Sequence, residues 1–212
     1  MYRVVLVDDE PWTLRGIRET FEWKRYGFEV IGCYTSALQA MKEILSKNPD
    51  VVFTDIRMPC VTGIELMNTL RKEEIKAEIV VISGYSEFEY ALEAIKNGAF
   101  DYCLKPINEE ITTSLLSRLK RRLDEKREIR IRDIIENGKI NPAEANNIFG
   151  FHRGYRYYQV LVSNDATDFS FSDILNQYDN LDYAEFRMSR NIYAVVNSDI
   201  DLYSSLMKVP VD

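Results

Sequence analysis

Apolar residues recur along the first half of the chain in two alternating rhythms. Short unbroken runs rich in Val and Ile, "RVVLV", "FEVIGCY", "VVFT", "EIVVIS" and "FDYCL", read as strands. Between them, apolar positions spaced three and four apart mark helices with one buried face. Leu14, Ile17 and Phe21 predict a helix from Pro11 to Arg25. Leu38, Met41, Ile44 and Leu45 predict a second, capped by Ser36. Ile64, Leu66, Met67 and Leu70 predict a third, preceded by Gly63. "SEFEYALEAIKNG" predicts a fourth, capped by Ser86 and stopped at Asn97-Gly98. Strands apolar along their whole length need cover on both faces. Right-handed crossovers then give an α/β fold with a doubly wound five-stranded parallel sheet.

The rhythm changes after Lys105-Pro106. From Asn108 to Asn137 the pattern stays helical with no Gly or Pro. Leu116, Leu119, Leu123, Ile131, Ile134 and Ile135 form a stripe whose heptad is interrupted by Lys126 and Arg130. Two readings stand: a solvated linker helix, or a parallel coiled coil. Gly138 and Pro142 end the pattern. Beyond them "YRYYQVLVS" alternates as a strand and "SDILNQYD" reads as a short helix. "DYAEFRMSRNIYAVVNS" reads as two strands joined at Ser189-Arg190-Asn191. The expected organisation is 1–120, a doubly wound domain; 121–140, a linker helix; and 141–212, a small α+β middle domain. Because "LYSSLMKVPVD" stops partway through an element, that last domain is expected to be incomplete.

Composition narrows the chemistry. The net charge is −7, a poor match for nucleic acid. No apolar run approaches the roughly 20 residues of a membrane span, and "MYRVVLV" has no signal-peptide layout, so a cytoplasmic protein is expected. His152 is the single histidine, which excludes a multi-histidine metal site and leaves no nucleophile signature beside it. Cys33, Cys60 and Cys103 are far apart and form no C-x-x-C pair. There is no glycine-rich phosphate loop.

In doubly wound sheets, sites form beyond the carboxyl ends of the strands. The first strand ends in Asp8 and Asp9, the third in Asp55, the fourth in Ser83, and the fifth runs from Tyr102 to Lys105. Adjacent carboxylates in oxygen-only company suit a hard divalent cation such as Mg2+. Lys105 and Ser83 suit phosphoryl oxygens, and one carboxylate remains free as a nucleophile. Glu10 is open to either role, metal helper or solvated first-turn acid.

"VVLVDDEP", "DVVFTDIRMP-VTGIEL", "IVVISGY" and "FDYCLKP" resemble, in order and spacing, the motifs of the receiver domain of two-component response regulators, whose fold is flavodoxin-like. The resemblance covers residues 1–120. It implies that Asp55 is the phosphoacceptor for a sensor histidine kinase. It implies that Asp9, Asp55 and the Arg57 backbone carbonyl bind Mg2+ directly, with Asp8 acting through water. Ser83 and Lys105 would hold the phosphoryl group, Tyr102 would be the aromatic switch, and Lys105-Pro106 would be cis. The implied protein is a phosphoacceptor regulator and no enzyme beyond Mg-dependent self-phosphorylation and dephosphorylation. It would form a homodimer on phosphorylation. Arg57 and Tyr85, both large, flank the implied path of hydrolytic water and predict a long-lived phosphorylated state.

"SGYSEFEYALEAIKNGAFDYCLKP" resembles more narrowly the receivers of YesN-like regulators, which carry an AraC-type helix-turn-helix module. That module is missing here, so DNA contact is expected only through a segment outside these residues. The region after Pro142 resembles, faintly, degenerate nucleotide-cyclase-like middle domains. It lacks Gly-Gly-Asp-Glu-Phe, so no cyclase activity is expected. Phe149, Phe151, Tyr155, Tyr157 and Tyr158 could line a pocket; packing of a small core is the preferred reading. A competing function is a phosphorylation-independent interaction receiver with a ligand-sensing middle domain. A haloacid-dehalogenase-like phosphatase fits poorly, because Glu10 stands where its second Asp belongs.

Overall fold

A computed structural model describes residues 1–84, 88–137, 148–149, 151, 157–163, 170–188, 191–199 and 202. The chain divides into two compact units, Met1–Glu125 and Lys126–Asp212. The first contains β1 (Tyr2–Val7), α1 (Pro11–Thr20), β2 (Phe28–Tyr34), α2 (Ala37–Lys47), β3 (Val51–Asp55), α3 (Gly63–Lys72), β4 (Glu78–Ser83), α4 (Phe88–Lys96) and β5 (Asp101–Leu104). It ends on α5 (Glu109–Asn137), which continues past the unit boundary. The strands are parallel in the order β2-β1-β3-β4-β5. That is the doubly wound α/β fold the apolar runs predict.

Alternation along each strand sends neighbours to opposite faces. On β1, Val5 and Val7 pack with α2, α3 and Ala94 of α4, whereas Val4 and Leu6 pack with α1 and with Leu115, Leu116, Leu119 and Leu123 of α5. α3 starts from a reciprocal cap. The Thr62 hydroxyl accepts from Glu65 N–H, and the Glu65 carboxylate accepts from Thr62 N–H at 2.8 Å. Ser36 caps α2 as expected, and Gly98, at φ +79°, ends the turn after α4. The cap at Ser86 lies outside the described residues.

Three expectations change. The first helix stops at Thr20 instead of Arg25. Phe21 leaves it in an extended conformation and stacks on Trp23 at 4.7 Å, and both rings meet Phe53 edge-on. Burying two aromatic rings outweighs one more helical turn, and Trp23–Tyr26 closes as a short 3-10 helix. On α2 the buried residues are Ala37, Ala40 and Ile44, with Met41 partly buried. Leu38 and Leu45 are 52% and 42% exposed, so the apolar face is rotated from the predicted one. In α5, Ile131 and Ile134 are buried as well as the receiver-facing leucines, which leaves little of the stripe for a coiled coil.

The second unit contains β6 (Tyr157–Ser163), α6 (Ser172–Leu175), β7 (Leu181–Met188) and β8 (Asn191–Ser198), in an antiparallel sheet ordered β6-β8-β7. α6 is shorter than predicted: after Leu175 the chain tightens into i+3 turns, Gln177 N–H to Ile174 and Tyr178 N–H to Leu175. Ile192, Ala194 and Val196 of β8 pack with Phe171 and Leu175. Phe149, Phe151, Tyr158, Phe186 and Tyr193 form a row of ring contacts 5.6–6.4 Å apart, consistent with core packing. Tyr155, His152, Gly138, Pro142 and the Ser189-Arg190 turn lie outside the described residues. No described helix is long and apolar enough to cross a membrane.

Candidate functional site

Parallel register brings the ends of β1, β3, β4 and β5 to one level. Val7 pairs with Thr54, Asp55 with Ile82, and Ser83 with Leu104. The residues just past these pairs therefore share one end of the sheet. Lys105 N–H donates to the Ser83 carbonyl at 2.8 Å, and the Lys105–Pro106 peptide is cis.

Lys105 Nζ lies 2.7 Å from Asp8 Oδ2 and 2.9 Å from Asp55 Oδ1. Each carboxylate uses its other oxygen locally: Asp8 Oδ1 accepts from Glu10 N–H at 3.0 Å, and Asp55 Oδ2 accepts from Arg57 N–H at 2.8 Å. Asp8 and Asp55 are both buried. Burial pushes the Asp8 pKa up, and the hydrogen bonds from Lys105 and Glu10 N–H offset that only in part. Burial alone would lower Lys105; its bonds to Asp8 and Asp55 outweigh burial and hold it above its ordinary value. Two partners of one ion pair thus shift in the same direction, because burial dominates at the carboxylate and hydrogen bonding at the amine.

The other candidates are placed as follows. Asp9 is half-buried beside Asp8, outside the Lys105 network. Ser83 is fully buried at the end of β4. Tyr102 is half-buried against the core cluster that holds α2, α3 and Ala94. Glu10 is exposed and accepts from the Thr13 hydroxyl at 2.9 Å. Tyr85 lies outside the described residues. Among the described residues no group of three or more carboxylate, thiol or imidazole side chains is set to hold a metal ion. The oxygen donors still suit one: two carboxylates that reach a single ammonium lie close enough to share a hard cation.

Two site features were not read from the sequence. Gly63 packs directly on the backbone of Asp55: a Cβ there would lie 2.0 Å from the Asp55 carbonyl oxygen, and Gly63 N–H bonds the Ile56 carbonyl at 2.8 Å. The signal available was the Thr62/Glu65 spacing, which makes Gly63 the first helical residue. The second is the contact that the Arg57 side chain makes with Tyr90. Its guanidinium donates to Tyr90 Oη at 2.8 Å and sits 5.2 Å from the ring centre.

Comparison with known proteins agrees with this geometry. Residues 4–117 match the profile of the response regulator receiver domain. Over 119 residues the chain is 38% identical to the uncharacterized transcriptional regulatory protein YesN of Bacillus subtilis, covering 56% of this chain and 32% of that one. Over 177 residues it is 29% identical to an uncharacterized response regulatory protein of Staphylococcus epidermidis, covering 84% and 62%. The receiver domain of AraT, a response regulator from Geobacillus stearothermophilus, superposes with a TM-score of 0.56 at 33% identity, covering 59% of this chain and 97% of that one. The chain spans between 32% and 62% of the length of these two curated relatives. With its profile matched over more than half of its residues, the chain belongs to the response regulator receiver family.

Proposed function

We propose that this chain is the phosphorylation switch of a transcriptional regulator, with Asp55 accepting a phosphoryl group from the phosphohistidine of a sensor kinase. The observation that carries the reading is the Lys105 ammonium held between Asp8 and Asp55 at the carboxyl end of the sheet. The phosphorus–nitrogen bond of the donor breaks as an Asp55 oxygen bonds to phosphorus, and the leaving imidazole takes up a proton. Lys105 and the Ser83 hydroxyl then hold phosphoryl oxygens, and Tyr102 responds to the movement of Ser83. Mg2+ would be held by Asp9, Asp55 and the Arg57 carbonyl, with Asp8 acting through water; when bound, it neutralises phosphoryl charge. The protein works in the cytoplasm, and DNA is contacted through a helix-turn-helix module outside these residues.

The output is a homodimer. Leu92 and Ile95 of α4, Leu104 of β5 and Ile111 of α5 are exposed apolar residues on consecutive elements, with Ile95 61% exposed. A second copy that covers this surface removes apolar area from water. The test is sedimentation velocity with and without acetyl phosphate and Mg2+. A phosphodonor-dependent increase in sedimentation coefficient is expected. An unchanged coefficient over a wide concentration range contradicts dimerisation.

A further inference from the structure

Among the described side chains, α4 places fewer in the core than α3 does. Among its described side chains only Ala94 is buried, whereas α3 buries Ile64, Leu66, Met67 and Leu70. Tyr90 is its next inward contact, packed on the same core cluster as Ala94. The ring of Tyr90 carries the guanidinium of Arg57, which donates to Tyr90 Oη at 2.8 Å and lies 5.2 Å from the ring centre. The backbone of Arg57 is meanwhile tied to the other end of this connection, since its N–H donates to Asp55 Oδ2 at 2.8 Å. One residue therefore touches the carboxylate with its backbone and α4 with its side chain.

We propose that Arg57 is a positioning residue that couples the state of Asp55 to α4: its guanidinium holds Tyr90 while Asp55 is a free carboxylate, and it leaves Tyr90 for the phosphoryl oxygens once Asp55 is phosphorylated. The inference rests on the phosphoacceptor reading above. An exposed guanidinium over a half-buried ring is a weak contact. The same group paired with a phosphoryl oxygen two residues away makes a charge-assisted contact, which is stronger. The added negative charge thus removes one restraint on α4. Since α4 carries the exposed Leu92 and Ile95, its release is passed to an apolar surface. A helix that places one of its described side chains fully in the core responds to the loss of a single contact by opening locally more often.

The experiment is amide hydrogen exchange of peptides covering 88–96. The samples are wild type, Arg57→Gln, Tyr90→Leu, the double variant and Tyr90→Phe, each with and without acetyl phosphate and Mg2+. In the unphosphorylated samples both Arg57→Gln and Tyr90→Leu accelerate exchange in α4 about fivefold, the loss of one ring contact and one hydrogen bond. The double variant exchanges no faster than either, because both changes remove the same contact. Tyr90→Phe, which keeps the ring and drops the hydroxyl, falls between. Exchange in α3 is unchanged throughout. In an Ile95→Glu background, where a second copy does not shield α4, phosphorylation accelerates α4 with Arg57 present and much less with Arg57→Gln. Additive single variants overturn the coupling, as does an equal phosphorylation response with Arg57 and with Arg57→Gln in that background. Intact mass on the same samples separates the two failures. A wild type that gains no phosphoryl group overturns the phosphoacceptor reading and the release with it. Uptake without the Arg57-dependent response overturns the release alone.

Discussion

The ammonium of Lys105 lies 2.9 Å from Oδ1 of Asp55, and the two residues are fifty positions apart in the chain. The same nitrogen reaches Asp8, so one cation offsets two buried anions. Replacing it with an uncharged side chain of similar length leaves like charges facing one another. Lys105→Met is expected to lose roughly 1–3 kcal/mol, less than a fully buried pair because the lysine side chain is 24% exposed. In that background Asp8→Asn is expected to recover stability. Urea denaturation of the two single variants and the double variant measures it, and a second substitution that destabilises further contradicts the shared-cation account.

Gly63 is expected to tolerate no side chain. A Cβ would meet the carbonyl of Asp55 at 2.0 Å, so the α3 terminus or the site must shift. Gly63→Ala should cost about 3 kcal/mol, the upper range for overpacking, and should slow phosphoryl uptake. Gly84→Ala is the control, since no described atom lies within 4 Å of its added carbon. Equal melting temperatures for the two variants would remove the steric argument.

Cys103 is buried on β5, and burial raises its thiol to about 11 from 9.0. A raised folded pKa gives stability that is present below the unfolded value and lost as pH rises through the folded one. Between pH 9 and 11, wild type should therefore lose about 2 kcal/mol relative to Cys103→Ala, which cannot ionise. The cavity left by the missing sulfur shifts the two curves by a pH-independent offset. Denaturation at several alkaline pH values checks this, and a constant difference across the range contradicts it.

Ile95→Glu is expected to abolish phosphodonor-dependent dimerisation and leave phosphoryl uptake unchanged, because Ile95 is exposed on α4 and takes no part in the Lys105 network. Sedimentation velocity reads the first effect and intact mass the second. A charged variant that still dimerises on addition of donor places the interface elsewhere.

The parallel sheet and the strand-end residues follow from the sequence because each strand is a continuous apolar run and each chemical residue sits at its carboxyl end. Local signals set those boundaries. The end of the first helix does not follow, because Phe21 is drawn out of it by Trp23 and Phe53, which are distant or non-helical partners. The rotated face of α2 does not follow either. Ala37 and Ala40 are buried with Ile44, and Leu38 and Leu45 face outward, because an alanine on the inner face adds no hydrophobic signal to the periodicity. Asp8, Asp55 and Lys105 were legible as a group. That Lys105 bridges both acids was not, because spacing gives proximity without saying which cation fills the gap. The contact between Arg57 and Tyr90 joins positions thirty-three apart and carries no periodic signal.

The account depends most on Asp55. Wild type and Asp55→Asn are incubated with acetyl phosphate and Mg2+, their intact masses are followed over time, and the modified peptide is located after borohydride reduction of the acyl phosphate. The account predicts that wild type gains one phosphoryl group, that reduction marks position 55, and that Asp55→Asn gains none at that position. Uptake by Asp55→Asn at the wild-type rate, or a mark at a residue other than 55 in wild type, would contradict it.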